Sequence, residues 1–296
     1  MKKIVIAGAN GFMGRCLSRY FMAKSWQVIG LARRKDGLAD GVTFAQWDGV
    51  SLGGWKDLLD GAEILVNLAG RTVNCRYNEK NKNQIIYSRV SSTKVLGEAV
   101  RACANPPKVW MNSSTATIYR HAEDHAQTES EGELGKGFSV SVAKAWEKAF
   151  FDAEVSDSVR KIALRTAIVM SDEEGTVMDV LTGLAKKRLG GKMGSGKQKV
   201  SWVGIDDVCR VVEWMYENEN AKGVYNVAAP NAMTNAEMMK SVRGRAGVKW
   251  GLPATKWMLE IGAFFLRTET ELILKSRWVY PERLLDEGFK FERERF

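Results

Sequence analysis

An α/β fold, a doubly wound parallel sheet with a smaller C-terminal lobe, is predicted by three features of this 296-residue sequence. Short apolar segments recur through the first 170 residues with helical stretches between them, and each ends near Gly, Asp, Asn or Ser. Strands buried on both faces of a parallel sheet read in this way. Three glycines, Gly8, Gly11 and Gly14, stand where the first strand turns into the first helix. Beyond about Met170 the alternation loosens, which divides the chain into a domain over 1–170 and a lobe over 171–296, with a stretch near 200–230 returning to the sheet.

The first strand is expected over Lys3 to Ala7. Gly8 lets the chain turn sharply out of it, Gly11 lets the backbone approach a pyrophosphate, and Gly14 lets the next helix pack on the sheet. That helix, with Phe12, Leu17, Tyr20 and Phe21 on one face, aims its free N–H groups and positive dipole end at the phosphates. The run is therefore a nucleotide-phosphate cradle, with Gly8, Asn10, Gly11, Phe12, Met13 and Gly14 as its contacts. The second strand, Trp26 to Leu31, ends in Ala32-Arg33-Arg34. An acidic residue there would hold a ribose 2′-hydroxyl, whereas Arg33 and Arg34 suit a 2′-phosphate, so NADP is expected over NAD.

The third strand, Val42 to Trp47, leads to Asp48, a hydrogen-bond acceptor for an adenine amino group. The fourth, Glu63 to Leu68, closes on Asn67-Leu68-Ala69-Gly70, small enough for a cofactor to lie against backbone. A long helix from Asn78 to Ala104 turns Ile85, Ile86, Val90, Val95, Leu96 and Val100 inward and is stopped by Asn105-Pro106-Pro107. The fifth strand, Lys108 to Ser113, runs into Ser113-Ser114-Thr115, which puts hydroxyls where a nicotinamide would meet its substrate. A helix over Phe138 to Ala153 and a sixth strand over Lys161 to Arg165 come next, then helices over Asp206 to Glu219 and Asn235 to Arg245. Gly190 to Gly196 read as a loop, and 250–296 as a C-terminal region that is helical from Ala254 to Glu287.

A net charge of +9 suits a dinucleotide and an acidic substrate, while the basic residues are spread along the chain with no nucleic-acid module. No signal sequence precedes the first strand, and the longest later apolar stretches, such as Ile261 to Leu266, are too short to span a bilayer. A cytoplasmic protein without membrane association is expected. Cys16, Cys75, Cys103 and Cys209 have no paired spacing, which argues against a disulfide framework or cysteine zinc site; Cys75, in a cleft loop, is the one candidate for reactivity. His121 and His125, with Glu123 and Asp124 between them, lack a third ligand at a recognisable interval, so no metal site is expected. Trp110, Trp146, Trp202, Trp214, Trp250, Trp257 and Trp278 are expected to pack in the core or between lobes.

The segments AGANGFMG (7–14), WDG (47–49), NLAG (67–70), SSTATIY (113–119) and IDDV (205–208) together resemble the extended short-chain dehydrogenase/reductases, the NAD-dependent epimerase/dehydratase group, whose fold is Rossmann-type. SRVSSTKVL (88–96), AWEKA (145–149), LRTAIVMS (164–171), LGGKMGSGKQKVSWV (189–203), YNVAAPNAMTNAEM (225–238) and VYPERLLDEGFKF (279–291) narrow this to the atypical "epimerase family protein" branch that ends in a domain of unknown function. The resemblance implies that Ala32, Arg33, Leu68, Ala69, Gln84, Arg89 and Val169 contact NADP. It also implies a dimer, since extended members often pair.

The departures from the family bear on chemistry. In the wider family a Tyr and a Lys four residues later share a helix, the lysine lowering the phenol's pKa. With Glu147 matched to the family's helix glutamate, Ser139 falls at the tyrosine position and Ala143 at the lysine position, and no tyrosine occurs between Tyr119 and Tyr216. Lys144, one place off, points elsewhere on the helix. Thr115 remains in register with the family's substrate-orienting Ser or Thr, and Tyr119 is the remaining proton donor nearby. Val200 stands where nucleotide-sugar enzymes carry a diphosphate-gripping Arg, and Gly204 where this branch usually has His. The expectation is an NADP(H)-binding oxidoreductase acting on a small carbonyl or hydroxyl compound. The alternatives are a non-catalytic NADP sensor or scaffold, and a nucleotide-sugar epimerase or dehydratase.

Overall fold

The computed structural model describes residues 1–255, 257–260 and 271–296. Seven strands form one parallel sheet: β1 (Lys3–Ala7), β2 (Gln27–Ala32), β3 (Thr43–Gln46), β4 (Ile64–Asn67), β5 (Val109–Thr115), β6 (Arg160–Thr166) and β7 (Gly223–Val227). Their order across the sheet is β3-β2-β1-β4-β5-β6-β7, so the direction of winding reverses between β1 and β4. The crevice beyond the carboxyl ends of those two strands is where such a sheet holds a ligand.

Both faces of the sheet are covered, as a parallel sheet requires. Successive side chains of β1 point to opposite faces: Ile4 and Ile6 join a core with α1 (Phe12–Ala23) and α5 (Ile205–Glu217), through Leu17, Phe21, Val211 and Met215. Val5 and Ala7 join a second core under α2 (Glu79–Ala102) and α3 (Phe138–Phe151), built on Leu96, Val100, Trp110 and Phe150. The Asn78 side chain caps α2 by accepting from the Asn81 N–H at 2.9 Å. A third core holds Met178 and Leu181 of α4 (Val177–Lys186), Met239 and Val242 of α6 (Asn235–Arg245), and Trp202.

Three expectations are corrected. The sequence suggests β7 only as a returning stretch; the strand carries Asn226 in its interior, which masks the apolar pattern, and that side chain is spent on internal hydrogen bonds. The C-terminal region is not one helical block. Residues 261–270, including the stretch Ile261 to Leu266, lie outside the described residues. After them come a short helix Glu271–Leu274, an extended segment, and a short helix Glu282–Asp286. Leu284, Phe289 and Phe291 then pack into the first core beside α5. Trp250 and Trp257 are 51% and 62% exposed, not core. Trp250 instead lies under the Arg188 guanidinium, 4.9 Å from its ring centre. Among the described residues no helix is long and apolar enough to cross a membrane.

Candidate functional site: the carboxyl ends of the first, second, fourth and fifth strands

The β1–α1 turn is shaped by its glycines. Gly8 has φ +80° and donates its N–H to the Leu31 carbonyl at 2.9 Å, while its own carbonyl accepts from Gly11 at 3.0 Å. A Cβ on Gly14 would lie 2.5 Å from the Gly8 oxygen and 2.7 Å from the Ala9 Cα, both immovable backbone. Helix α1 starts after Gly11 with no side-chain cap and no acidic residue in its first turn. Its leading N–H groups are therefore open to an anion. Arg15 ties the loop down from behind, its guanidinium donating to the Asn10 carbonyl at 3.0 Å. Asn10, Phe12 and Met13 stand half-buried around the turn.

At the end of β2, Ala32 is buried, while Arg33 and Arg34 are exposed and form no ion pair among the described residues. Asp48 is also exposed; one carboxylate oxygen accepts from the Val50 and Ser51 N–H groups, each at 2.8 Å, which holds its pKa below the ordinary value. Leu68 and Ala69 are half-buried across the crevice from Gly8, whose hypothetical Cβ would stand 3.1 Å from the Ala69 nitrogen. Gly70 has little room for a side chain either, because the Arg89 guanidinium carbon would be 3.1 Å away. Arg89 lies over the Trp146 ring at 5.0 Å and donates to the carbonyls of Arg71 (2.9 Å) and Ile85 (3.2 Å). Burial pulls its pKa down to about 10. Such a cation is improved by any anion brought to it. Gln84 accepts from Arg71, which also donates to Asn81. Val169 is half-buried in the short strand Ile168–Met170, which pairs with Trp202–Gly204.

The fifth strand delivers Ser113, Ser114 and Thr115, but each does different work. Ser113 is buried. Ser114 donates to Glu147 of α3 at 2.6 Å, and Glu147 forms a two-pronged ion pair with Arg165 of β6, both contacts at 2.8 Å. Thr115 is half-buried, and its oxygen accepts from the Thr117 N–H at 3.2 Å, capping the turn Ala116–Ile118. Among the described residues its hydroxyl hydrogen has no acceptor and is left to donate elsewhere.

Tyr119, expected as a proton donor, is turned into the fold. It is 1% exposed, donating to the Asn226 side chain at 2.9 Å and accepting from Arg165 at 2.9 Å. Burial raises its pKa, against the Arg165 charge. The turn after Thr115 directs the ring inward, so it is a structural member of the Ser114–Glu147–Arg165 network. Ser139 instead touches the C-terminal region, its hydroxyl 3.3 Å from Glu271. Ala143 is fully buried, and Lys144 bonds the Gly135 carbonyl.

Sequence reasoning missed the floor of the crevice. Buried Asn67 donates to Asn112 at 2.7 Å and to Thr93 at 3.2 Å, and accepts from the Ala69 N–H at 3.0 Å, which fixes the β4 exit. Asn67 at the carboxyl end of β4, with Asn112 opposite it in β5, was the available signal. Elsewhere, His121 accepts the Ser276 N–H at 3.0 Å, and His125 lies 3.1 Å from Asp124. Among the described residues no group of three or more His, Cys, Asp or Glu side chains could hold a metal. Half-buried Cys75 sits with its sulfur 3.8 Å from the Thr72 carbonyl. Val200 is buried in the lobe core, and Arg293 covers Gly204, where a Cβ would meet its side chain at 3.4 Å.

A sequence profile of the NAD dependent epimerase/dehydratase family matches residues 4–228, and a domain of unknown function (DUF1731) matches 254–295. The human epimerase family protein SDR39U1 is 27% identical over 293 residues, 98% of this chain and 95% of the human one. The epimerase family protein YfhF of Bacillus subtilis is 26% identical, over 97% and 93%. The crystal structure of human SDR39U1 (isoform 2) with NADPH superposes with a TM-score of 0.86 at 26% identity, covering 99% of this chain and 96% of that one. A nucleoside-diphosphate sugar epimerase from Corynebacterium glutamicum gives 0.77 at 30% identity, over 99% of this chain but only 56% of that one.

Proposed function

The chain belongs to the NAD dependent epimerase/dehydratase family, and we propose that it binds NADP(H) and acts as an oxidoreductase on a small carbonyl or hydroxyl compound. The observation that carries the reading is the uncapped start of α1 behind glycines that leave little space for a Cβ, joined at the end of β2 by two arginines without an ion pair among the described residues. A pyrophosphate fits the first and a 2′-phosphate the second. The similar human protein was crystallised with NADPH, which supports the choice of cofactor.

In this reading Gly8 to Gly14 and the α1 N–H groups hold the pyrophosphate, Arg33 and Arg34 the 2′-phosphate, and Asp48 the adenine amino group. Leu68, Ala69 and Gly70 provide a flat backbone wall, and Arg89, steadied on Trp146, lends positive charge to the same crevice. Bound NADPH would supply the hydride, leaving NADP+, and water the proton taken up by the reduced oxygen. Thr115, whose hydroxyl hydrogen is unspent, orients the substrate oxygen at the β5 exit. Tyr119 takes no part, because its hydroxyl hydrogen is donated to Asn226 and its oxygen accepts from Arg165 inside the fold. That same observation favours one second reading, a non-catalytic NADP(H) sensor.

Arg33→Ala is expected to weaken NADPH binding by about tenfold or more while leaving NADH within about threefold, the loss of one charge-assisted contact to the 2′-phosphate. Calorimetric titration of parent and variant with both coenzymes checks this; equal losses for NADPH and NADH would remove the 2′-phosphate assignment. Oxidation of bound NADPH by a panel of small carbonyl compounds selects the enzyme over the sensor.

A further inference from the structure

The C-terminal segment brings the cation of Lys275 to the turn that follows β5. Lys275, directly after the helix Glu271–Leu274, has a side chain only 11% exposed. Among the described residues its ammonium group, with three donors, has a single hydrogen bond, to the Thr117 carbonyl at a long 3.4 Å, and one carboxylate, that of Glu271, at 3.9 Å. Satisfied charge-assisted contacts run near 2.7–2.9 Å, so among the described residues this largely buried cation lacks a full set of acceptors. Glu271 is shared besides, since its other carboxylate oxygen accepts from Ser139. Thr117 lies in the turn capped by Thr115, so the ammonium meets the chain two residues from the threonine proposed to orient substrate.

The position is built rather than incidental. Immediately after Lys275 the chain is stitched on both sides: Ser276 donates its N–H to His121 at 3.0 Å and its hydroxyl to the Ala122 carbonyl at 2.6 Å. Arg277 exchanges backbone hydrogen bonds with Lys199 and Ser201, and Gln127 pairs with Trp278 and Tyr280. The backbone that carries Lys275 is therefore held in place. Burial, and then the neighbouring Arg277, lower the ammonium's pKa.

We propose that Lys275 forms an oxyanion subsite, so that the substrate of the reaction proposed above is a small carbonyl compound carrying a carboxylate or phosphate group that docks on this ammonium. The proposal rests on that reading for the word substrate, but the subsite is tested by binding alone. An incoming anion takes up donors of a cation already largely removed from solvent, which makes the contact worth more than a surface pair.

The test is calorimetry on the full chain loaded with NADPH, at fixed ionic strength, titrated with oxamate and malonate in one arm and inorganic phosphate in the other. Saturable binding is expected in at least one arm, and the stronger arm identifies the group. Lys275→Met is expected to weaken it by about tenfold or more, Lys275→Arg to retain it, and both to bind NADPH as the parent does. Absence of saturable binding in both arms, or binding that Lys275→Met leaves intact, overturns the subsite. Failure to oxidise NADPH with any carbonyl compound would instead count against the enzymatic reading, and is seen in a separate measurement.

Discussion

Gly14→Ala is expected to destabilise the protein by about 2–3 kcal/mol and to abolish NADPH binding. The direction is informative because helix propensity alone argues the opposite: alanine inside a helix is normally favoured over glycine by about 1 kcal/mol. Gly14 is the third residue of α1, yet its Cβ would lie 2.5 Å from the Gly8 carbonyl oxygen and 2.8 Å from the Ala9 carbonyl carbon. Neither atom can retreat, since Gly8 is pinned to Leu31 and Ala9 is fully buried. The helix must lift off the sheet, and the N–H groups aimed at the pyrophosphate leave with it. Gly183, inside α4 with nothing within 4 Å of its hypothetical Cβ, is the control; there alanine is expected to stabilise by about 0.5–1 kcal/mol. Urea denaturation and fluorescence titration with NADPH report both quantities. A Gly14→Ala protein as stable as the parent, binding coenzyme equally well, would show that the glycine does not hold the cradle closed.

The contrast between these two glycines explains how far the sequence could be read. The cradle was legible because its requirements are local: a strand, a turn and a helix within a dozen residues, each glycine with a steric reason. The first six strands were legible for the same reason, since Ile4, Val5 and Ile6, or Ile64, Leu65 and Val66, state burial on both faces without reference to any other part of the chain. The features that the sequence concealed depend on residues far apart. Tyr119 lies in the same short motif as Thr115, yet its orientation is decided by Asn226, 107 residues away, and by Arg165. β7 was hidden by that same asparagine, whose partners are the carbonyls of Gln127 and Tyr280. Lys275 reads as an ordinary charged residue near a helix end until His121 and Ser201 are seen to fix the segment behind it. Residue type announced what could bind; only the fold determined which polar groups were already occupied.

The largest loss of stability is expected from splitting the Glu147–Arg165 pair. Both residues are buried, and the two contacts at 2.8 Å leave each charge dependent on the other. Glu147→Leu or Arg165→Met alone is therefore expected to cost about 3–5 kcal/mol, because either strands an uncompensated charge inside the protein. The double variant removes both charges together and is expected to recover most of that loss, a coupling that a mutant cycle measures directly. Stability and function should then part company. Ser114 donates to Glu147 and Tyr119 accepts from Arg165, so the double variant loses the posts on either side of Thr115 even when it folds. The pyrophosphate cradle lies at β1, across β4 from this network, and NADPH affinity should be unchanged. If the single variants lose less than about 1 kcal/mol, the pair is no more than an exposed salt bridge in its energetics. If the double variant instead loses NADPH together with stability, the network supports the whole crevice rather than the β5 exit alone.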